Sequence, residues 1–381
     1  MIDSEAIECV GCGMCAVVCS KNSLKIEMNK SGFYTTRKIH DNCNNCGLCK
    51  EVCPMYGENI SLSHPQCCFS AYSLNDETRK TCSSGGVGHE IANLLLSKGW
   101  EVCGVIYDAK CNRAAHTVCK SEDDLERVKG SKYLQSYTVQ AFNEVANGLK
   151  QNRKYVVFGT PCQIAAFDKY SRILRRRTNL LLIDFFCHGV PSYLLWESYL
   201  GELTKRHRGT IRNVRFRDKR NGWHAYTMAI EYDDSTYYSD RHLDKDMFYE
   251  FFLGNYCLND SCYKCIYRYL NSKADIRLGD LWGRKFESNR EGVSGMIVFT
   301  NAGMDILDTL RESCRISAET METVTEGQIK GDLVIPSVKN YIINDLQKKH
   351  SLAYIYNKRI IPIKIKRKIN MIRNRWIGGA K

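Results

Sequence analysis

Eight cysteines within the first 53 residues obey one spacing twice. Cys9-Val-Gly-Cys12-Gly-Met-Cys15-Ala-Val-Val-Cys19 recurs as Cys43-Asn-Asn-Cys46-Gly-Leu-Cys49-Lys-Glu-Val-Cys53, followed by Pro54. In a C-x2-C-x2-C-x3-C run, three thiolates wrap one iron–sulfur cubane and the fourth reaches the neighbouring cluster. The spacing therefore predicts two 4Fe-4S clusters with exchanged fourth ligands. Cys9, Cys12, Cys15 and Cys53 hold one, and Cys43, Cys46, Cys49 and Cys19 hold the other. Gly11, Gly13 and Gly47 suit a loop whose backbone must come close to the sulfides and adopt positive φ. Paired zinc knuckles are the competing reading, but zinc sites do not usually place four evenly spaced thiolates twice in this way. Between the repeats, Leu24–Met28, a polar Asn29-Lys-Ser-Gly32 stretch and Phe33-Tyr-Thr-Thr36 read as a hairpin.

Twenty cysteines in a short secreted chain would signal disulfides, but this chain has 381 residues and places many of its thiols at ligand spacing. Its first residues, Met1-Ile2-Asp3-Ser4-Glu5, lack the basic and apolar regions of a signal peptide. The most apolar run, Leu180–Phe186, is interrupted by Asp184 and is far too short to span a bilayer. A cytoplasmic location is expected. The 55 Lys and Arg against 42 Asp and Glu give a net charge of +13. That excess suits an anionic cofactor, an acidic redox partner, an anionic membrane or nucleic acid. No helix-turn-helix or RNP-type signature accompanies it, so nucleic acid is not expected as a partner.

The chain divides into residues 1–60, the cysteine-dense module; 61–80, read as a linker; 81–335, a body of alternating helix and strand; and 336–381, a basic amphipathic tail. In the body, Ile91, Leu94 and Leu95 sit at helical spacing before Gly99, and Glu101–Tyr107 reads as a buried strand. A helix near 138–150, a strand at Tyr155–Phe158, a helix from Pro161, a strand at Leu180–Phe186 and a helix from Pro191 continue the alternation. Each proline suits a first helical turn, where its missing N–H costs nothing. The pattern predicts an α/β domain with a mostly parallel sheet. Residues 211–216, 226–232 and 236–238 add a β insertion. In the tail, Lys358, Arg359, Lys364, Lys366, Arg367, Lys368, Arg373 and Arg375 interleave with Ile360, Ile361, Ile363, Ile365, Ile369, Ile372 and Trp376. Such a segment can rest peripherally on an anionic membrane or dock an acidic partner.

Four further cysteines are candidates for a third site. Cys162 and Cys187 each follow a strand, at the sheet edge where open α/β folds bind ligands, and each lies near a helix start. A later pair, Cys262-Tyr-Lys-Cys265, could complete a ligand set. Alternatively, Cys162 and Cys187 are ordinary buried thiols and the pair binds zinc or nothing. Cys257 is a substitute candidate, and most of the remaining cysteines read as small buried hydrophobes.

Several short motifs run through the body in a fixed order. They are Ser83-Ser84-Gly85-Gly86, Gly130-Ser131-Lys132-Tyr133, Gly159-Thr160-Pro161-Cys162-Gln163 and Cys187-His188-Gly189-Val190-Pro191, then Phe216-Arg217-Asp218-Lys219 with Gly222-Trp223. Ser261-Cys262-Tyr263-Lys264-Cys265 and Gly279-Asp280-Leu281-Trp282-Gly283 complete the set. From about 80 to 335 the chain resembles the family of coenzyme F420 hydrogenase/dehydrogenase beta subunits, of which an N-terminal ferredoxin extension is a common variant. The resemblance implies an FAD-binding domain with its own 4Fe-4S cluster, held by Cys162, Cys187, Cys262 and Cys265. It also implies hydride exchange between a deazaflavin and the flavin, with electrons leaving singly through the clusters. Asn259-Asp260, before Ser261, departs from the more basic, proline-containing approach of the family.

The residue chemistry is compatible with FAD, because Ser84, Gly85 and Gly86 before a helix and Gly130, Ser131, Lys132 and Tyr133 can offer donors to a pyrophosphate. Gly159, Thr160, His188, Lys219 and Trp223, with Arg217, are further candidate contacts. No side chain is singled out as a catalytic acid or base. The expected function is an iron–sulfur flavoprotein oxidoreductase passing electrons between a two-electron carrier, a reduced deazaflavin or nicotinamide, and a one-electron redox partner protein. The rival reading is an electron-transfer adaptor with no substrate of its own, serving for example an envelope-polysaccharide pathway.

Overall fold

The alternation in Leu24-Lys-Ile-Glu-Met folds as expected: β1 (Leu24–Met28) pairs antiparallel with β2 (Tyr34–Lys38), Leu24 opposite Lys38. The computed structural model describes residues 8–39, 42–57, 63–207 and 209–378, with side chains as far as Met371. The two cysteine loops flank the hairpin and share one geometry. Gly13 and Gly47, at φ 84° and 80°, open one-turn helices Met14–Val17 and Leu48–Glu51. The Gly11 and Asn45 amides donate to Cys9 Sγ and Cys43 Sγ, both at 3.4 Å.

The body is built on an eight-stranded sheet. Its strands are β3 (Cys67–Ser73), β4 (Glu101–Asp108), β5 (Arg113–Cys119), β6 (Tyr155–Phe158) and β7 (Leu180–Phe185). After an insertion of β8 (Ile211–Asp218), β9 (Thr227–Tyr232) and β10 (Thr236–Asp240) come β11 (Ile276–Asp280), β12 (Ser294–Val298) and β13 (Cys314–Ala318). The order is β13-β3-β12-β11-β7-β6-β4-β5, and the insertion forms its own antiparallel sheet, β10-β9-β8. The central strands β4, β6, β7 and β11 run parallel, and antiparallel strands close both edges. Helices cover both faces: Val87, Ile91 and Leu95 of helix Val87–Ser97 pack on one, Phe142, Val145, Ile164 and Phe167 on the other. At the start of helix Pro161–Ile173, Gln163 Oε1 accepts from the Thr160 amide (2.9 Å) and Thr160 Oγ1 (3.0 Å).

Two boundaries differ from the sequence expectation. Residues 61–80 are not simply a linker: 67–73 is strand β3, inserted between β12 and β13, and Asp76–Thr81 is a helix. The strand's partners lie more than 200 residues downstream, so nothing local announces it; residues 58–62 lie outside the described residues. The amphipathic tail is likewise shorter than 336–381. Ile342, Ile343, Leu346, Leu352, Ile355 and Ile360 are buried with Trp196, Phe216 and Phe248, so residues 339–360 belong to the core. The amphipathic part is helix Ile361–Gly378. The side chains of Ile372, Arg373, Arg375 and Trp376 lie outside the described residues. Among the described residues, no helix is long and apolar enough to cross a membrane.

The cysteine module is docked onto the body through its first repeat. Gln135 accepts from the Tyr34 amide (2.7 Å) and donates to the carbonyls of Val10 (3.0 Å) and Tyr34 (3.2 Å). Thr138 Oγ1 donates to the Cys12 carbonyl at 2.9 Å, and Lys169 Nζ to those of Cys53 and Tyr56, each at 2.8 Å. Cys12, Met14 and Val52 join the apolar cluster of Phe142 and Val145.

One buried histidine in this body makes stability depend on pH. His116 Nε2 lies 3.1 Å from the Phe158 carbonyl, its ring packs on Phe142, and Nδ1 is buried without a partner. The carbonyl fixes the proton on Nε2 of a neutral ring, and burial pushes the pKa down to about 4 from an ordinary 6.5. Between these values the unfolded chain holds the extra proton, so stability falls as the pH drops from about 6.5 towards 4. His116→Gln is expected to flatten that part of a stability-versus-pH curve measured by urea unfolding; an unchanged slope would mean the ring is not the titrating group.

Candidate functional site

The residues that follow β6 and β7 and end β11 surround a cleft of ≈ 440 Å³, within the usual range for cofactor sites. It lies at the carboxyl edge of the parallel strands, where such sheets bind ligands. One wall is glycine and backbone: Gly86, at φ 85°, opens helix Val87–Ser97 with no side chain capping it, and Gly130, at φ 78°, turns the facing loop. The Ser131 amide donates to Ser83 Oγ (2.7 Å), tying these two segments together.

The opposite wall is aromatic. Trp282 is stacked between Trp223 (centroids 5.0 Å, 12°) and Tyr226 (5.6 Å, 17°). The buried Arg217 guanidinium lies 4.0 Å from the Tyr226 ring, paired with Asp280 Oδ2 (2.8 Å) and bonded to Tyr133 Oη (3.0 Å) and the Trp223 carbonyl (2.9 Å). Trp223 Nε1 donates to Asp280 Oδ1 at 3.0 Å. Arg217 therefore locks the platform from behind, and Tyr226 and Trp282 face the cleft.

The structure brings the four scattered cysteines of the body together. The segments around Cys187 and Cys262 lie side by side, because Pro191 bridges Leu258 and the Asn259 amide donates to the Val190 carbonyl (3.0 Å). Gly189 leaves so little room that an added Cβ would stand 3.1 Å from Cys262 Cβ. Burial pushes the Cys162 thiol well up, and Cys265, Cys187 and Cys262 add to that push. Burial likewise drives Cys187 up to about 12, reinforced by Cys262 and Cys265. Such mutual repulsion among nascent thiolates is what a cationic metal core relieves. Cys187 lines the cleft. The departure at Asn259 is a local cap: its Oδ1 accepts from the Ser261 amide (3.2 Å) and Ser261 Oγ (2.9 Å). Cys257 is buried in the aromatic core.

In the module, burial raises the Cys12 thiol, and Cys15, Cys53 and Cys9 raise it further. Thr36 Oγ1 lies 3.0 Å from Cys15 Sγ. Cys49 also acts on Cys15, linking this group to the second. In the second group, Cys19 Sγ accepts from the Ser23 amide (3.3 Å), Cys43 and Cys49 are half-buried and Cys46 is exposed. Among the described residues, no three such side chains converge on one point as the ligands of a single metal ion do; the thiols stand in looser groups. The body group and the first module group are joined by protein. Tyr267, two residues after Cys265, donates to the carbonyl of Pro54, next to Cys53. Helix Pro161–Ile173 carries both Cys162 and Lys169, which holds the Cys53 carbonyl.

The cleft gathers nine of the twelve residues expected to contact a flavin: Ser84, Gly86, Gly130, Ser131, Lys132, Tyr133, Gly159, Thr160 and His188. Gly85, Lys219 and Trp223 are not among its lining. Gly85 is pressed against the Ala71 carbonyl and Ser294. Lys219 Nζ donates to the carbonyls of Arg79, Ser84 and Glu291, and burial pulls its pKa down to about 8. Lys132, although in the lining, directs its ammonium at the carbonyls of Val128 (3.0 Å), Lys129 (2.7 Å) and Gly130 (3.1 Å), closing a helix end. Burial pulls its pKa down to about 7, and Cys82 and Cys119 oppose that pull. His188 Nε2 is 2.7 Å from Asn255 Oδ1, and burial lowers its pKa. Tyr226, Phe252, Arg268, Arg277, Asp280 and Trp282 also line the cleft. Asp280 and Trp282 stood in a quoted motif; Tyr226, held at φ 54°, gave no local signal.

A doubled cubane-type cysteine module docked against an α/β body defines an iron–sulfur electron-transfer protein. Residues 8–56 match the 4Fe-4S dicluster domain, and residues 152–324 match the C terminus of the coenzyme F420 hydrogenase/dehydrogenase beta subunit. The chain thus joins a 4Fe-4S dicluster domain to a domain of the family of coenzyme F420 hydrogenase/dehydrogenase beta subunits. The F subunit of the F(420)H(2) dehydrogenase from Methanosarcina mazei is 27% identical over 192 residues, 47% of this chain and 53% of the relative. The chain spans about half the length of that curated relative. A chain of the F420-reducing [NiFe] hydrogenase complex from Methanosarcina barkeri, solved as a xenon derivative, aligns with 15% identity and a TM-score of 0.49. The alignment covers 77% of this chain and 91% of that one.

Proposed function

We propose that this chain is an iron–sulfur flavoprotein oxidoreductase that takes hydride from a reduced carrier in the cleft and releases electrons singly to a partner protein. The observation that carries the reading is the position of Cys187, which lines the cleft and neighbours Cys162, Cys262 and Cys265. These four are the ligands of a third 4Fe-4S cluster on this reading.

The cleft suits FAD: the uncapped start of helix Val87–Ser97 at Gly86 offers backbone donors to a pyrophosphate, and Tyr226 and Trp282 offer flat faces to a ring. FAD, when bound, accepts two electrons as hydride and gives them up one at a time. Arg217 and Asp280 hold the aromatic platform, Gly86 and Gly130 leave space for close backbone approach, and Cys187, one of the four cysteines, stands at the cleft's edge. The Tyr267–Pro54 and Lys169–Cys53 contacts support a path from the body to the module. Cys9, Cys12, Cys15 and Cys53 would hold the module cluster nearer the body, and Cys43, Cys46, Cys49 and Cys19 the outer one, which would supply one-electron chemistry to a partner beside the exposed Cys46. The M. mazei relative's name makes reduced F420 the first carrier to try and NADH the second.

Protein purified without oxygen is expected to hold about one flavin per chain, and reduced F420 or NADH should bleach the flavin before the broad iron–sulfur absorbance falls. Full iron with no flavin, and no reaction with either carrier, would leave the adaptor reading in its place.

A further inference from the structure

From residue 346 onward the chain contains 11 of its 55 Lys and Arg and none of its 42 Asp and Glu, so nearly all of the +13 net charge resides there. Residues 346–360 are anchored in the body by Leu346, Leu352, Ile355 and Ile360, but helix Ile361–Gly378 leaves it. Its base is fixed: Ile360 is fully buried, Arg359 Nε pairs with Asp345 (2.7 Å), and Lys364 Nζ is bonded to Glu250 Oε2 (2.5 Å) and Tyr356 Oη (2.7 Å). Beyond Lys364 every described side chain of the helix is exposed. Ile365 and Ile369, four residues apart and so on one face, are 52% and 57% exposed. Lys366, Arg367 and Lys368 make no ion pair with any described residue. At 100° per residue, Lys368 falls on one side of the Ile361–Ile365–Ile369 stripe and Lys366 on the other, with Arg367 on the far face.

This end of the helix presents an apolar stripe bordered by unpaired cations, on a helix held at its base, which is the pattern of an interfacial helix. We propose that helix Ile361–Gly378 lies in the headgroup region of an anionic phospholipid bilayer. There the isoleucines enter the acyl boundary while Lys366 and Lys368 reach lipid phosphates from both sides. Nucleic acid would satisfy the cations and leave the isoleucines in water. An acidic protein groove would need carboxylates along both rims, whereas a bilayer presents anionic charge on every side of an inserted stripe. The contact is peripheral, since the stripe is only about a quarter of the helix circumference, and it goes beyond the electron-transfer reading, on which it does not depend.

The test uses the full chain, with cosedimentation on phosphatidylglycerol/phosphatidylcholine vesicles against phosphatidylcholine alone at about physiological ionic strength. Binding to the anionic vesicles only is expected. K366Q/R367Q/K368Q should weaken it by about a hundred-fold, at roughly fivefold per charge. I365S/I369S should weaken it comparably while leaving the iron content and the circular dichroism spectrum unchanged. Equal binding to both vesicle types, no binding to either, insensitivity to both variants, or stronger capture by a polynucleotide or by a polyglutamate chain would each overturn the proposal.

Discussion

Replacing Cys162 and Cys265 together by alanine is expected to lower the iron content from about twelve atoms per chain to about eight, two cubanes remaining where there were three. Cys162 opens the helix after β6, and Cys265 lies in the loop before β11, so the pair removes ligands from opposite sides of the proposed cluster. The signals of the module clusters in paramagnetic resonance should persist after dithionite, because the module keeps its own ties to the body, from Gln135, Thr138 and Lys169 to the carbonyls of Val10, Cys12 and Cys53. Reduction of the module by a carrier in the cleft should nevertheless slow sharply, since the bridge has gone. Eight irons in the unaltered chain would remove the third cluster from the scheme while leaving the module intact.

The second large effect is on stability. Asp184 is fully buried in β7; its Oδ1 accepts from Arg277 Nε (2.7 Å), and its Oδ2 from Arg277 Nη2 (2.6 Å) and Ser272 Oγ (2.7 Å). Arg277 on the neighbouring β11 is 1% exposed, so Asp184→Ala leaves a guanidinium in the sheet without its counter-charge. A loss of about 3–5 kcal/mol is expected in denaturant unfolding. The double change D184L/R277M should recover most of it, because apolar side chains of similar volume can replace a buried pair at little cost. A loss below about 1 kcal/mol in the single variant would show that Arg277 finds water or another acceptor.

The same aspartate shows how far the sequence could be read. In Leu180–Phe186 it registers only as a flaw in an apolar run, because its partner lies 93 residues away. Where signals were local, they carried through. Cysteine spacing, Pro161 at its helix start and the Leu24–Met28 alternation marked the module, a crossover helix and the hairpin, since each depends on neighbours within a few residues; Pro191 instead lies before Ser192, the cap of helix Tyr193–Leu203, and bridges Leu258. Strand β3 depends on partners more than 200 residues downstream, and Cys67-Cys68-Phe69-Ser70 carries no alternation that distinguishes it from a connector. In the cleft, glycine and serine motifs located one wall. The aromatic wall was half visible, because Trp282 and Asp280 share a motif whereas Tyr226 reaches the site only through the fold of the β insertion. Lys219 looked like a cofactor contact from its charge; three carbonyls around its ammonium give it a different occupation.

The two cysteine loops began with equal geometry and have come to stand under unequal constraint. A methyl group placed on Gly13 would strike Thr138 Oγ1 at 2.2 Å, and one on Gly11 the Tyr34 carbonyl at 2.2 Å, whereas around Gly47 there is nothing within 4 Å. Descendants of such a duplication cannot drift alike: the inner copy has become masonry, answerable to every residue it leans on. The outer copy is tied down only at its end, where Val52 is buried and Lys169 and Tyr267 hold the carbonyls of Cys53 and Pro54; its loop from Cys43 to Cys49 is free to change its face for a new acceptor while the rest of the molecule stays as it is.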